Sequence, residues 1–131
     1  MNRRALIPDG TQAAVNDLNI SPGILSHGHV FVTGMTGSRS DGSMPENIQE
    51  QFHLAFEKIG LVLAEGGLDF SAVVEMTSYH VGLRAHFETF RDVRSDYVRE
   101  PYPAWTAIEV AGLRREGAVV EIRVVAATAK D

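Results

Sequence analysis

Two glutamates near the C-terminus are the residues of this chain that are best suited to general acid–base chemistry. Glu109 lies in residues 104–111 and Glu121 in residues 118–127, and both segments are rich in β-branched residues that partly alternate with polar ones, as strands do. A carboxylate that is partly desolvated in a cleft has a raised pKa and acts as a general base on water. The alternative is a structural ion pair with Arg123 or with an arginine of a neighbouring subunit, and the pattern alone favours that structural role.

The other side chains that catalyse reactions or hold metals give weaker signals. The chain contains no cysteine, which excludes thiol nucleophiles, disulfides and thiolate metal sites. His27 and His29 alternate around Gly28, a spacing that can place two imidazoles on one strand face. No carboxylate stands nearby in the sequence, so a polar hairpin is favoured over a metal site. We expect structural roles for the three remaining histidines, which are His53, His80 and His86.

Two polar stretches look only superficially like phosphate or nucleic-acid sites. The loop TGMTGSRSDGS, residues 33–43, is rich in glycine, but it lacks the lysine of a P-loop, and we interpret it as a surface loop. Arginines in residues 84–99 alternate with acidic residues, as on a solvated helix face. The net charge of −5 and the pI near 5.5 also lead us to expect no nucleic-acid partner.

The elements that position these residues can be read from their periodicity. Strands are predicted on both sides of Gly28 in residues 24–34, over residues 71–82, and over the two C-terminal segments. An apolar stripe predicts a helix over residues 46–65, which Gly66 ends, and a second helix follows residue 82 and stops before Pro101. The order β-β-α-β-α-β-β predicts an α+β domain over residues 1–131, with one mixed sheet and two helices on one face.

The last strand predicts which sheet face meets the helices. Its even positions are wholly apolar, and they are Val120, Ile122, Val124 and Ala126. The odd positions, which include Glu121 and Arg123, belong to the opposite face, and we place Trp105, Ala107 and Glu109 on that face as well. Such a face is too apolar for open water and too charged for a core. We therefore predict that it packs against another copy of the chain.

The sequence shows no signal for a membrane. No apolar run of signal-peptide length follows the two N-terminal arginines, and no segment approaches the roughly 20 apolar residues of a membrane span. We expect a soluble, cytoplasmic protein with no membrane partner.

Several blocks of the chain together resemble the Rid (RidA/YjgF) family. They are FVTGMTG, AEGGLDFSAVVEMTSYHVGL, HFETFRDVRSDYV and YPAWTAIEVAGL with AVVEIRVVA, and the resemblance covers residues 19–128. It implies a chorismate-mutase-like α+β fold and a homotrimer with sites in the clefts between subunits. The activity it implies is metabolite repair, in which reactive 2-imino or enamine acids are hydrolysed to 2-keto acids and ammonia. No cofactor and no metal is implied.

The resemblance also assigns roles to individual residues. Glu121 corresponds to the glutamate that positions the attacking water together with a backbone carbonyl, which here is that of Ala107. Gly34 is carried over as a substrate-binding residue. The arginine that holds the substrate carboxylate in the family is absent, because Trp105 occupies its place after Pro-Ala. Arg91 replaces an asparagine and becomes a candidate substrate-binding residue.

These departures leave two functions open. Trp105 either stacks on a planar or aromatic substrate or fills an inactive site. In the first case the chain is a hydrolase of C=N or enamine bonds, in which Arg91 or Arg39 supplies the anion contact and ordinary 2-iminobutanoate turnover is weak or absent. In the second it is a non-catalytic trimer that binds a small-molecule ligand or regulates a partner. Ribonuclease activity, reported for some relatives, is disfavoured by the charge balance.

Overall fold

Strands and helices alternate along the chain, and the computed structural model describes residues 2–129. The strands are β1 (Arg3–Leu6), β2 (Gly23–Ser26), β3 (His29–Thr36), β4 (Val73–His80), β5 (Ala104–Glu109) and β6 (Val120–Ala127). The helices are α1 (Gln12–Leu18), α2 (Ile48–Glu65) and α3 (Leu83–Arg94), and a single 3-10 turn spans Phe70–Ala72.

The six strands form one mixed sheet in the order β1-β2-β3-β6-β4-β5. All neighbouring strands are antiparallel except β4 and β5, which run parallel and are joined through α3. A parallel pair needs such a crossover, because its strands start at the same end of the sheet. The C-terminal strand β6 lies in the interior of the sheet between β3 and β4.

Alternation along β6 determines the core. Its even positions are buried against α2 and α3, as predicted, and Val120, Ile122 and Ala126 are each 0% exposed. The apolar stripe of α2 fills the space above them with residues that are all buried: Phe52, Ala55, Phe56, Ile59, Val62 and Leu63. We call this covered side of the sheet the helix face.

The predicted boundaries of α2 are close to the observed ones, whereas the second predicted helix, expected to continue until Pro101, ends at Arg94. The predicted helix over residues 46–65 begins instead at Ile48, because the side chain of Asn47 accepts a hydrogen bond from the Glu50 amide and caps it. It ends as predicted at Gly66, whose amide donates to the Leu63 carbonyl.

The prediction omitted two N-terminal elements. The sheet has six strands rather than five and the fold three helices rather than two, because β1 and α1 were not foreseen. Within β1 only Leu6 is buried, and α1 has no buried residue. Neither element therefore carries the apolar periodicity by which helices and strands are recognised in a sequence.

The prediction that Trp105, Ala107 and Glu109 share a sheet face with Glu121 was wrong. Trp105 lies opposite Met76 on β4, and Met76 lies opposite Val124 on β6, so Trp105 belongs to the helix face. Which face a strand presents depends on its register, since a shift of one residue moves every side chain to the other side. The alternation of residues within β5 therefore does not predict which sheet face Trp105 occupies.

We expect Gly37 to contribute to stability, because it lies directly after β3 where the chain contacts the backbone of α2. A methyl group on Gly37 would overlap the backbone of Gln51, so Gly37→Ala should lower the free energy of unfolding by about 1–3 kcal/mol through overpacking. Urea denaturation measures this difference. Gly112→Ala is the matched control, because no atom lies within 4 Å of the position of its added carbon; equal losses in both variants would contradict the assignment.

Candidate active site

Glu121 projects from β6 on the side of the sheet that no helix covers. Its neighbour across the strand pair is Tyr79 on β4, and Tyr79 in turn pairs with Ile108 on β5. The same side carries Phe31 and Arg123. We call this surface, defined by Phe31, Tyr79, Ile108, Glu121 and Arg123, the open face.

The carboxylate of Glu121 lies directly against Gly34. A side-chain carbon at position 34 would overlap Glu121 Oε2, so a larger residue there would displace the carboxylate from its present position. The register of β3 shifts between Val32 and Met35, which leaves Gly34 outside the regular pairing with β6. The structure thus brings together two of the predicted site residues. The irregularity is typical of β-bulges next to functional groups.

Glu121 forms no ion pair with Arg123 in the described part of the chain. Within residues 2–129 no hydrogen bond or ion pair involves its carboxylate, and the ion pairs found there are Arg39–Glu50 and Arg91–Asp92. A half-buried carboxylate without a counter-charge is available to bind a water or another polar group.

Glu109 has the structural role instead. Its two carboxylate oxygens accept hydrogen bonds from the amides of Gly82 at 3.1 Å and Leu83 at 2.7 Å, at the start of α3. These bonds hold the pKa of Glu109 below its usual value, whereas a general base needs a raised one. The recess of about 440 Å³ beside it is lined by Glu109 and the first residues of α3, so this carboxylate serves the helix start.

Trp105 is fixed by contacts on the helix face. Its indole N–H donates to Ser78 Oγ at 2.9 Å. Its ring stacks on Phe87 with an interplanar angle of 4° and a centroid distance of 5.6 Å, and Phe90 lies against it at 5.9 Å. The guanidinium carbon of Arg94 is 4.1 Å from the centroid of the indole, a cation–π contact.

A buried pair of histidines continues this network. The Ser78 hydroxyl is 2.7 Å from His80 Nε2, and His80 Nδ1 is 3.0 Å from His86 Nε2. Burial is the main reason that the pKa of His80 falls from 6.5 to about 4, and it also lowers the pKa of His86. Both imidazoles are therefore neutral near pH 7, and they link β4 to α3. The expectation that they are structural agrees with this geometry.

The backbone N–H and C=O groups of Ala107 lie on the side of β5 that faces away from the rest of the sheet. The Val110 amide donates to the His80 carbonyl on β4 at 2.8 Å. Peptide groups along a strand alternate in direction, so Ala107, three residues earlier, directs its N–H and C=O away from β4. Because β5 is the last strand of the sheet, the Ala107 carbonyl faces an unpaired edge.

One chain does not assemble all the predicted site residues. Glu121 and the Ala107 carbonyl are separated by β4, and two strand spacings amount to roughly 10 Å, too far for one water to contact both. Trp105 lies on the opposite side of the sheet from Glu121. Any site that uses all three therefore needs a second chain.

The two arginines predicted to bind an anion already have acidic neighbours. Arg91 is exposed and its guanidinium lies 3.8 Å from Asp92. Arg39 lies 3.4 Å from Glu50 and donates to Ser43 Oγ at 3.2 Å. Arg94 was missed, because on a helix of alternating charges nothing in the sequence distinguishes the one arginine that folds over the tryptophan.

The structure gives no sign of a metal site or a membrane span in the part of the chain it describes. Residues 2–129 contain no cluster of three histidine or acidic side chains arranged to bind a metal ion. No helix in the same range is long and apolar enough to cross a membrane.

The six-stranded sheet with α2 and α3 on one face defines a small α+β protein of the RidA-like fold. Comparison with known proteins agrees: residues 12–128 match the family described as Endoribonuclease L-PSP. The chain belongs to this family, and the resemblance to Rid proteins is confirmed.

Individual relatives span nearly the whole chain. It is 34% identical over 127 residues to the RutC family protein YjgH of Escherichia coli, covering 96% of this chain and 95% of that protein. It is 31% identical over 108 residues to the 2-iminobutanoate/2-iminopropanoate deaminase of Bos taurus, covering 81% and 77%. A solved structure named Protein YJGH superposes with a TM-score of 0.90 at 32% identity, covering 100% of both chains. RidA from an Antarctic Psychrobacter superposes with a TM-score of 0.77 at 27% identity, covering 82% and 87%.

We expect the buried histidines to make stability depend on pH. Because the native state lowers the pKa of His80 and His86, the unfolded chain binds protons that the native chain does not, and the free energy of unfolding should fall as the pH drops from 6.5 to 5. Urea denaturation at several pH values measures the slope. His80→Gln should flatten it, whereas His29→Gln, at an exposed position, should not; equal slopes in wild type and His80→Gln would contradict the account.

Proposed function

We propose that the protein is a hydrolase of small molecules with C=N or enamine bonds, a deaminase of altered substrate preference that acts in clefts between subunits of a homotrimer. The observation that carries the proposal is the Glu121 carboxylate, which is half-buried on the open face beside Gly34 and has no counter-charge among the described residues. Membership of the family and the deaminase named among the relatives support the reaction class.

In this proposal Glu121 acts as a general base and then as a general acid. It takes a proton from water as the water oxygen bonds to the imine carbon, and the electrons of the C=N double bond move to nitrogen. The same carboxyl then returns the proton to nitrogen. The product of this step is a carbinolamine. Its hydroxyl proton passes through the same carboxyl to the amino nitrogen as the C=O bond forms and the C–N bond breaks, so that ammonia leaves and a 2-keto acid remains. The backbone carbonyl of Ala107 accepts the second hydrogen of the attacking water and so orients its lone pair.

A second copy of the chain completes the cleft. Glu121 is roughly 10 Å from the Ala107 carbonyl within one chain, so another subunit must supply one of them. The open face supports this assembly, because Phe31 is 45% exposed and Ile108 is 39% exposed there without cover from any helix. Large apolar side chains exposed on an uncovered sheet face are typical of interfaces. A cytoplasmic role in metabolite repair belongs to the same proposal and fits the absence of cysteine.

The alternative is a non-catalytic trimer that binds a metabolite or regulates a partner. The observation that favours it is the packing of Trp105, whose N–H is bonded to Ser78 and whose ring is stacked on Phe87. A side chain held in this way contributes to stability whether or not the cleft turns over a substrate.

Replacement of the proposed base tests catalysis directly. Glu121→Gln should reduce hydrolysis of 2-imino acids by about 10²–10⁴-fold, because an amide cannot take the proton from water. The assay generates imines in place with an amino acid oxidase, from aliphatic and aromatic amino acids, and follows keto-acid release above the spontaneous rate. Glu75→Gln is the matched control, since Glu75 is an exposed carboxylate on the same sheet face.

Either of two outcomes would refute the enzymatic proposal. In the first, no amino acid yields accelerated hydrolysis, which supports the non-catalytic alternative. In the second, Glu121→Gln retains full activity, which removes Glu121 from the mechanism.

The assembly has its own test by light scattering. We expect a mass of three chains of 14.3 kDa. Phe31→Glu should lower that mass by placing a charge in the interface. Leu61→Glu should not, because Leu61 is 58% exposed on α2, away from the open face. A monomeric wild-type protein would contradict the cleft.

A further inference from the structure

Arg94 has a guanidinium whose donors are not used. Its Nε atom is buried and makes no hydrogen bond, and in the described part of the chain no carboxylate or carbonyl accepts from its other nitrogens. Its guanidinium instead makes a cation–π contact with the ring of Trp105. A guanidinium carries five donors and is charged at every physiological pH, so a half-buried one without an acceptor indicates that a binding partner is missing.

Other arginines of the same region differ from Arg94. Arg91, one turn earlier on α3, is exposed and lies beside Asp92, and Arg99 donates to the backbone carbonyls of Asp96 and Val98. Only Arg94 among these three combines burial with unsatisfied donors. Burial alone lowers its pKa, and no acidic group offsets that effect.

Trp105 holds this guanidinium in a defined orientation. The indole cannot rotate freely, because its N–H is bonded to Ser78 and its ring is stacked on Phe87. A guanidinium that lies over such a fixed ring loses little additional freedom when it binds a planar anion. Trp105, over which the guanidinium lies, is two residues before Ala107 on the same strand.

We propose that Arg94 is the anion anchor of the cleft and binds the carboxylate of a small 2-imino or 2-keto acid. The guanidinium thereby replaces the one that the family carries at the position of Trp105, and the tryptophan has become the platform that orients it. This inference rests on the proposed function for the identity of the substrate. A carboxylate matches the planar fork of a guanidinium in two parallel hydrogen bonds.

The proposal predicts how binding depends on the carboxylate. The probe is phenylpyruvate, an aromatic 2-keto acid, and its methyl ester is the uncharged control; calorimetry measures both affinities. Wild type should bind the acid more tightly than the ester. Arg94→Gln should weaken binding of the acid on the order of 30-fold or more, as expected when a charge-assisted contact is lost, and should leave the ester unaffected.

Two variants separate a specific anchor from general charge. Arg94→Lys keeps the charge but loses the paired donors, and it should bind phenylpyruvate with an affinity between those of wild type and Arg94→Gln. Arg84→Gln removes an exposed arginine of the same helix and should change the affinity less than about twofold. Arg91→Gln tests whether Arg91 is the anion contact instead. A loss of phenylpyruvate affinity in Arg91→Gln but not in Arg94→Gln would overturn the proposal.

A double replacement tests whether Arg94 does the work of the arginine that the family carries at the position of Trp105. Adding Trp105→Arg to Arg94→Gln returns an arginine to β5 and should restore a preference for the acid over its ester. Circular dichroism and light scattering establish that each variant retains its fold and assembly. If Arg94→Gln alters the oligomeric mass but not the affinity, Arg94 pairs with a carboxylate of another subunit, and the proposal is overturned.

The anchor and the hydrolase can fail separately. Binding of phenylpyruvate that requires Arg94, without turnover of any imine, would sustain the anchor and refute the hydrolase. Turnover with an unchanged KM in Arg94→Gln would sustain the hydrolase and refute the anchor. No binding of phenylpyruvate by wild type at millimolar concentration would refute the anchor as well.

Discussion

The register of β5 against β4 is the constraint on which the candidate site depends. Trp105 lies opposite Met76 and Ile108 opposite Tyr79, and these pairs decide which residues face the helices and which face the open side. A slip of one residue would move Trp105 to the open face and turn the partly buried side chains of the strand away from the helices. Parallel pairing through α3 and the hydrogen bond from Trp105 to Ser78 hold the register in place.

The Trp105–Ser78 bond also connects the site to the rest of the fold. Ser78 contacts His80, His80 contacts His86 on α3, and the start of α3 is capped by Glu109 of β5. The helix that carries Arg94 is therefore attached to both β4 and β5 by polar contacts in addition to packing. A satisfied network of this kind fixes one arrangement of the elements, and the position of the Arg94 guanidinium over the indole depends on it.

Much of the fold follows from local patterns in the sequence. The strict alternation of β6 and the apolar stripe of α2 predicted their buried residues, and the resemblance of the C-terminal block predicted the family. Contacts between distant segments were not predictable in the same way. The face of Trp105 depends on a pairing between strands 29 residues apart; β1 and α1 bury too little to leave a periodic signal. Arg94 is distinguished from the other arginines of this region by its contact with the Trp105 ring, which depends on the tertiary structure.

The two parts of the proposed site lie on opposite faces of the sheet. Glu121 is on the open face and Arg94 is on the helix face with Trp105, so a cleft that uses both must take them from different chains. The most direct test mixes Glu121→Gln chains with Arg94→Gln chains and measures hydrolysis by the hybrid trimers at a low substrate concentration, where each variant alone is expected to be strongly impaired. We predict that hybrids regain activity, because some clefts receive Glu121 from one chain and Arg94 from another. Hybrid trimers that form but stay inactive would contradict the account.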